Sequence, residues 1–138
     1  HGGNGEALER ALKLLRQELP ALEVQTNGNH ETISPALLEL ARREGVSPED
    51  LGLHAGEGET SEMLHLRPEL VDVQRCAPGF TGDMEAVLDE LREGGLRAVT
   101  QDGVLGDPTR AAAGRGARYL DALADDLAAT LRCDGDGS

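Results

Sequence analysis

Two short stretches carry residue types that do chemistry at close spacing. Residues 54–61 read "HAGEGETS": an imidazole at His54, then carboxylates at Glu57 and Glu59 where a helix can begin. An imidazole and a carboxylate converging at a helix start can bind a metal ion or move protons, and the exposed amides of that helix N-terminus favour a developing oxyanion. The same letters also describe a plain capping segment, in which Glu57 and Glu59 complement the helix dipole and His54 is an ordinary loop histidine. Residues 1–4 read "HGGN". His1 before two glycines suits a metal ligand at a strand end, yet a metal site needs three or four ligands and His1 is one. A glycine loop opening a helix is also a generic anion site, but no phosphate-loop Lys-Ser/Thr pair follows it.

The other candidates point to structure. His65 sits beside Leu64 and Leu66 on a helical stretch, and His30 lies in a polar loop with nothing nearby to complete a site. Arg42 and Arg43 read as a solvated helix face. Cys76 has no adjacent activating base, and neither a Ser-His-Asp nor a Cys-His nucleophile pattern stands out.

The elements that must position these residues follow from periodicity. Asn4 is placed to cap a helix running to about Leu19, with Leu8, Leu12, Leu15 and Leu19 on one face. Pro20 stops it, and "ALEVQT" reads as a short strand. Ser34 and Pro35 start a second helix that Gly45 ends, and "SPED" begins a further turn. A helix is expected from about Glu57 to Leu66, with Met63, Leu64 and Leu66 inward and Pro68 ending it. Another spans roughly Asp83 to Glu93. "LRAVT" is a second strand candidate, and Thr109 can cap the last long helix, carried by Leu120, Leu123, Leu127 and Leu131. The tail from Cys133 to Ser138 is expected to be disordered. Strands alternating with helices imply a parallel sheet covered by helices. Two short strands are too few for helices this amphipathic, which calls for one more strand running into His1.

The 138 residues suit one compact domain, and 38% hydrophobic with 28% charged residues fits a globular class. A net charge of -13 disfavours nucleic acid and anionic membrane surfaces. No apolar run approaches the roughly 20 residues that span a bilayer. Two cysteines do not make a disulfide framework, so a cytoplasmic setting is the expectation. The chain has one Phe, one Tyr and no Trp, which argues against base stacking or an aromatic cage.

Taken together, "HGGN", "HAGEGETSEMLHLRPELV" and "GVLGDPTRAAAGRGARYL" occur in an order and spacing that resembles the creatininase family of metal-dependent amidohydrolases. The resemblance runs from His1 to about Leu131. It implies an α/β fold, a three-layer α/β/α sandwich with a mostly parallel sheet, of which residues 1–132 form a C-terminal portion and the N-terminal half is missing. It implies two divalent metal ions, Zn or Mn, that activate a water against a C–N amide bond: a creatinine-like lactam, a formamide or a peptide. By the same resemblance His1 and Glu59 bind metal, while His54 and Glu59 are catalytic, His54 moving protons to and from the amide. Gly106, Asp107 and Pro108 have a structural role in a loop near a subunit edge. The implied partners are a small amide substrate and further copies of the chain, often in a hexamer. Gly2 and Gly3 stand where creatinine-cleaving members have a tyrosine-glutamate pair, and the enclosing tryptophans of those members are absent here. The "HGGN" form is shared with relatives that act on a formamide or on a precursor peptide. The alternative is a truncated, non-catalytic remnant or partner subunit of the same fold.

Overall fold

The computed structural model describes residues 4–24 and 33–133. His1, with Gly2 and Gly3, lies outside the described residues, as do His30 and the tail beyond Cys133. The chain divides into two compact units, one drawn from the segment up to Ser34 together with the segment from Ala124 onward, the other Pro35–Leu123.

In the first unit, α1 spans Gly5–Glu18 and none of its residues is buried. Its leucine stripe gives the expected amphipathic helix, but Asn4 makes no side-chain cap hydrogen bond. The distal part of α7 (Ala113–Cys133) also belongs to this unit. There the Ser34 hydroxyl donates to Asp126 at 2.8 Å.

The second unit holds the core. Here α2 (Pro35–Arg43), α3 (Pro48–Leu51), α4 (Glu57–Leu66), α5 (Leu88–Gly94) and α6 (Leu96–Val99) precede α7, with 3₁₀ turns at Pro68–Leu70, Val73–Arg75, Glu85–Val87 and Pro108–Arg110. Local chemistry explains the boundaries. The Ser47 side chain accepts from the Asp50 amide and Pro48 opens α3, the arrangement that costs least at a helix start. Pro68 follows directly on the end of α4, where the residue before a proline leaves the helical region. The buried apolar side chains are Ala41, Val46, Leu51, Leu105 and Tyr119.

The expected sandwich is not what forms. Among the described residues there is no strand ladder and no parallel sheet, only isolated bridges pairing Leu105 with His54 and with Phe80. The described part of "ALEVQT" is turn and irregular chain, and "LRAVT" forms α6 with Thr100 as its C-cap. A short apolar run does not distinguish strand from helix by itself. Leu96, Arg97 and Ala98 are good helix formers, and a helical turn satisfies their backbone without a neighbour. The Ala98 amide donates to Gly95 at 3.1 Å and the Thr100 amide to Leu96 at 2.9 Å. A strand would need a ladder partner that no described residue supplies.

Candidate functional site

The site is built around the start of α4. Its approach segment, Leu53–Ala55, is held from the side by Val104–Gly106. The Leu105 carbonyl accepts from the amides of Leu53 (2.9 Å) and His54 (3.4 Å), and the Leu105 amide donates to His54 at 2.8 Å. The same segment is clasped from elsewhere by the Phe80 amide donating to Val104 and the Gly79 amide donating to Gly106, both at 3.0 Å. Gly52 permits the approach: a Cβ there would lie 1.9 Å from the Leu105 carbonyl oxygen, and its φ of +73° suits glycine. Thus "GVLGDPT", expected to be a structural loop, is structural in a specific sense, because it fixes the backbone that carries His54. Asp107 also caps the 3₁₀ turn that follows, accepting from the Thr109 amide at 2.9 Å and the Thr109 hydroxyl at 2.7 Å.

His54 and Glu59 come together at this point. His54 Nδ1 lies 3.8 Å from Glu59 Oε2, with the two side chains 43% and 58% exposed. That separation is ion-pair range for a protonated imidazole and longer than a hydrogen bond. The same Oε2 accepts the Ala55 amide at 2.8 Å, and the Thr60 hydroxyl donates to the Ala55 carbonyl at 3.3 Å. These contacts hold Ala55 at a φ of +51°, the one non-glycine among the described residues in the left-handed region. Beside Glu59 opens a cleft of about 450 Å³ whose walls include Thr60, Met63, Leu70, Val71, Arg75, Cys76 and Val104. Met63 and Leu66, expected to point inward, are instead exposed, and the buried face of α4 carries Glu57, Gly58 and Ser61.

Glu57, offered by the sequence either as a carboxylate beside His54 or as a capping acid, is turned into the interior. It is 1% exposed and takes three donors. Ser61 Oγ donates at 2.7 Å, Arg115 Nε at 2.5 Å and the Tyr119 hydroxyl at 2.8 Å. Burial, reinforced by the hydrogen bond to Glu57 and its charge, pushes the Tyr119 phenol upward, so it stays protonated and donates. Arg115 Nη2 also donates to the Arg110 carbonyl at 2.7 Å, and its Nη1 lies 3.9 Å from Glu44, which Arg118 grips at 2.7 Å. The hydrogen bond from Arg118, with the charges of Arg118 and Arg115, holds the Glu44 carboxyl below its ordinary range. Close packing of α4 on α7 runs through Gly116, where a Cβ would lie 2.0 Å from the Ser61 carbonyl oxygen. The available signals were Glu57 and Ser61 at i, i+4 and a single tyrosine in a chain nearly without aromatics.

The remaining expectations divide. Arg42 and Arg43 form the solvated face anticipated for them, both paired with Glu39. Cys76 is a free, half-buried thiol on the cleft wall. His65 is exposed near the end of α4. Among the described residues no group of three His, Cys, Asp or Glu side chains is arranged to hold a metal. Of the two residues that the resemblance assigns to metal, Glu59 alone is among the described residues, and a catalytic zinc takes about three donors from protein, so the described residues by themselves do not fit a two-metal centre. Among them, too, no helix is long and apolar enough to cross a membrane.

With this geometry in place, comparison with known proteins fixes the lineage. The "Mycofactocin precursor peptide peptidase" of Mycobacterium tuberculosis (strain CDC 1551 / Oshkosh) is 39% identical over 126 residues, covering 91% of this chain and 43% of the relative. The protein of the same name from Mycobacterium ulcerans (strain Agy99) is 37% identical over 131 residues, covering 95% and 45%. The chain therefore spans a little under half the length of these curated relatives. A solved structure from Bacteroides fragilis NCTC 9343, assigned by name as a creatinine amidohydrolase, matches with a TM-score of 0.58 and 27% identity, over 94% of this chain and 49% of that one. The family model described as "Creatininase: Creatinine amidohydrolase" matches residues 1–131, and this chain belongs to the creatininase family.

Proposed function

We propose that this chain supplies part of the active site of an amidohydrolase that cleaves a C–N amide bond, with a peptide as its substrate class. The observation that carries the reading is the His54–Glu59 pair, of which Glu59 lines the cleft. In amide hydrolysis a water oxygen bonds to the carbonyl carbon, the C–N bond breaks, and the amine leaves with a proton. A neutral His54 imidazole can accept the proton from the attacking water and pass it to the departing nitrogen. The Glu59 carboxylate, 3.8 Å away, compensates the positive charge that His54 carries between those two transfers.

Three features favour a peptide over a lactam. The cleft is far larger than a five-membered ring requires and falls in the range of about 300–1,000 Å³ typical of ligand pockets. Its Met63, Leu70, Val71 and Val104 walls suit an apolar side chain. The chain contains no tryptophan to enclose a flat ring. The names of the mycobacterial relatives point the same way.

Dependence on two divalent ions, Zn or Mn, belongs to the proposal through the family resemblance, as do a metal-binding role for His1 and Glu59 and assembly of several copies. The incomplete ligand set among the described residues leaves one rival, a non-catalytic remnant or partner subunit of the same fold. The test is turnover by the native protein containing this chain, offered peptides, a formamide and creatinine, with amine release followed by mass spectrometry. Hydrolysis of peptides, lost on chelation and in His54→Ala, supports the proposal. Absence of hydrolysis for all three substrate classes in the metal-loaded protein favours the rival.

A further inference from the structure

We infer that Arg115 is a positioning residue for the His54–Glu59 pair: with Tyr119 it grips Glu57, and so holds the first turn of α4 and the Ala55 loop where the two reacting side chains meet. The inference rests on the proposed reading of His54 and Glu59 as the reacting pair. Glu57 and Glu59 are two residues apart on a helix that turns about 100° per residue, so they point roughly 200° apart. One first turn therefore presents Glu57 to the interior and Glu59 to the cleft, and any rotation or fraying of that turn moves both.

A turn in this position has little to hold it unaided. The first four amides of a helix lack intrahelical acceptors, and α4 is ten residues long, a length that is marginal in isolation. Its Gly56 N-cap makes no side-chain cap hydrogen bond. Of the three donors to Glu57, Ser61 lies on α4 itself and its Oγ accepts the Ala112 amide at 3.0 Å one turn further along, while Arg115 and Tyr119 reach from α7 to the first-turn carboxylate directly. Arg115 is itself braced by the Arg110 carbonyl and lies beside Glu44, at the end of α2. Further out, Glu59 Oε2 closes the loop through the Ala55 amide and brings itself near His54. The contacts run from α7 through the α4 first turn to Glu59, whose Oε2 lies 3.8 Å from the imidazole.

The test compares Arg115→Met, Arg115→Lys and Val46→Ala in the native protein, with a peptide amide as substrate. Val46→Ala opens a core cavity in the turn after α2 and serves as a control for lost thermal stability. Misplacing a reacting group by an ångström costs on the order of a hundredfold. Arg115→Met is therefore expected to lower kcat by about a hundredfold with KM within about twofold, and Arg115→Lys to recover at least about tenfold. Val46→Ala, at equal or greater thermal loss, retains kcat. Unchanged kcat in Arg115→Met, no recovery in Arg115→Lys, or an equal kcat loss in Val46→Ala would each overturn the inference. Hydrogen exchange at the Ala55 amide decides it independently of turnover. Exchange is expected to quicken by about tenfold or more in Arg115→Met while the Leu105 amide keeps its wild-type rate. An unchanged Ala55 rate overturns the inference. A wild-type protein that cleaves no amide overturns the proposed function instead, leaving the exchange measurement to decide the role of Arg115.

Discussion

Removing a single oxygen, in Tyr119→Phe, examines the buried network that the fold places behind its candidate site. Tyr119 is 0% exposed, and its hydroxyl donates to Glu57 Oε2 at 2.8 Å. The ring of phenylalanine fills the same space, so no cavity opens and the apolar packing is unchanged. What is lost is one hydrogen bond to the 1% exposed Glu57 side chain, ion-paired with Arg115, that keeps Ser61 and Arg115 as donors. Hydrogen bonds to charged groups contribute about 1.5–3 kcal/mol, and leaving a buried acceptor short of a partner adds to the same side. A loss of about 2 kcal/mol is therefore expected, a fall of about thirtyfold in the folded-to-unfolded ratio. Urea unfolding followed by circular dichroism, with wild type and variant sharing one m-value, reads it directly. A loss below about 0.5 kcal/mol, the range of neutral surface substitutions, would show that Glu57 does not depend on the tyrosine and that the network is misdescribed.

Other perturbations have equally definite outcomes. Gly116→Ala would drive a methyl into the Ser61 carbonyl at 2.0 Å and force α4 and α7 apart, so a loss at or above the roughly 1–3 kcal/mol of overpacking is expected in the same unfolding assay. Wild-type stability in that variant would refute the close packing. Burial, followed by the charges of Glu59 and Glu57, raises the Glu62 carboxyl above 4.5. The folded state then binds the Glu62 proton more tightly than the unfolded state, and stability from this group falls as pH rises from about 4.5 through the raised value. Glu62→Gln should accordingly be more stable than wild type at pH 7, with the difference vanishing as pH falls below that window. A constant or inverted difference across a pH series would refute it. Asp107→Ala removes the acceptor for the Thr109 amide and hydroxyl and should cost about 1 kcal/mol, as lost helix caps do. Full wild-type stability in thermal unfolding would show the cap to be idle.

How much of this was legible in the sequence depends on whether the deciding interaction is local. Ser47 with Pro48, and Pro68 after Leu66, act within a few residues, and the bounds of α3 and α4 follow from them. The convergence of His54 and Glu59 was legible too, because five residues across a helix start leave few other placements. Strands were not, since a strand exists only with a neighbour, and "LRAVT" folds into its own helical turn instead. The burial of Glu57 was not legible for a related reason. Its donors Arg115 and Tyr119 lie about 60 residues on, at separations of 58 and 62, and no local pattern distinguishes a carboxylate so partnered from one that faces water. The same limit applies to Met63 and Leu66. Their apolar character suggested a core, while the face of α4 that packs on α7 is set by Ser61 and Gly116.

Whether Glu59, beside His54, acts in hydrolysis of a peptide C–N bond is decided by peptide turnover in the native metal-loaded protein and its Glu59→Gln variant. The substitution keeps the side chain's length and its acceptor for the Ala55 amide while removing the charge 3.8 Å from the imidazole. With circular dichroism showing both proteins folded, wild type is expected to hydrolyse the peptide and the variant to lose about a hundredfold or more. Equal turnover in the two proteins would contradict that role for Glu59.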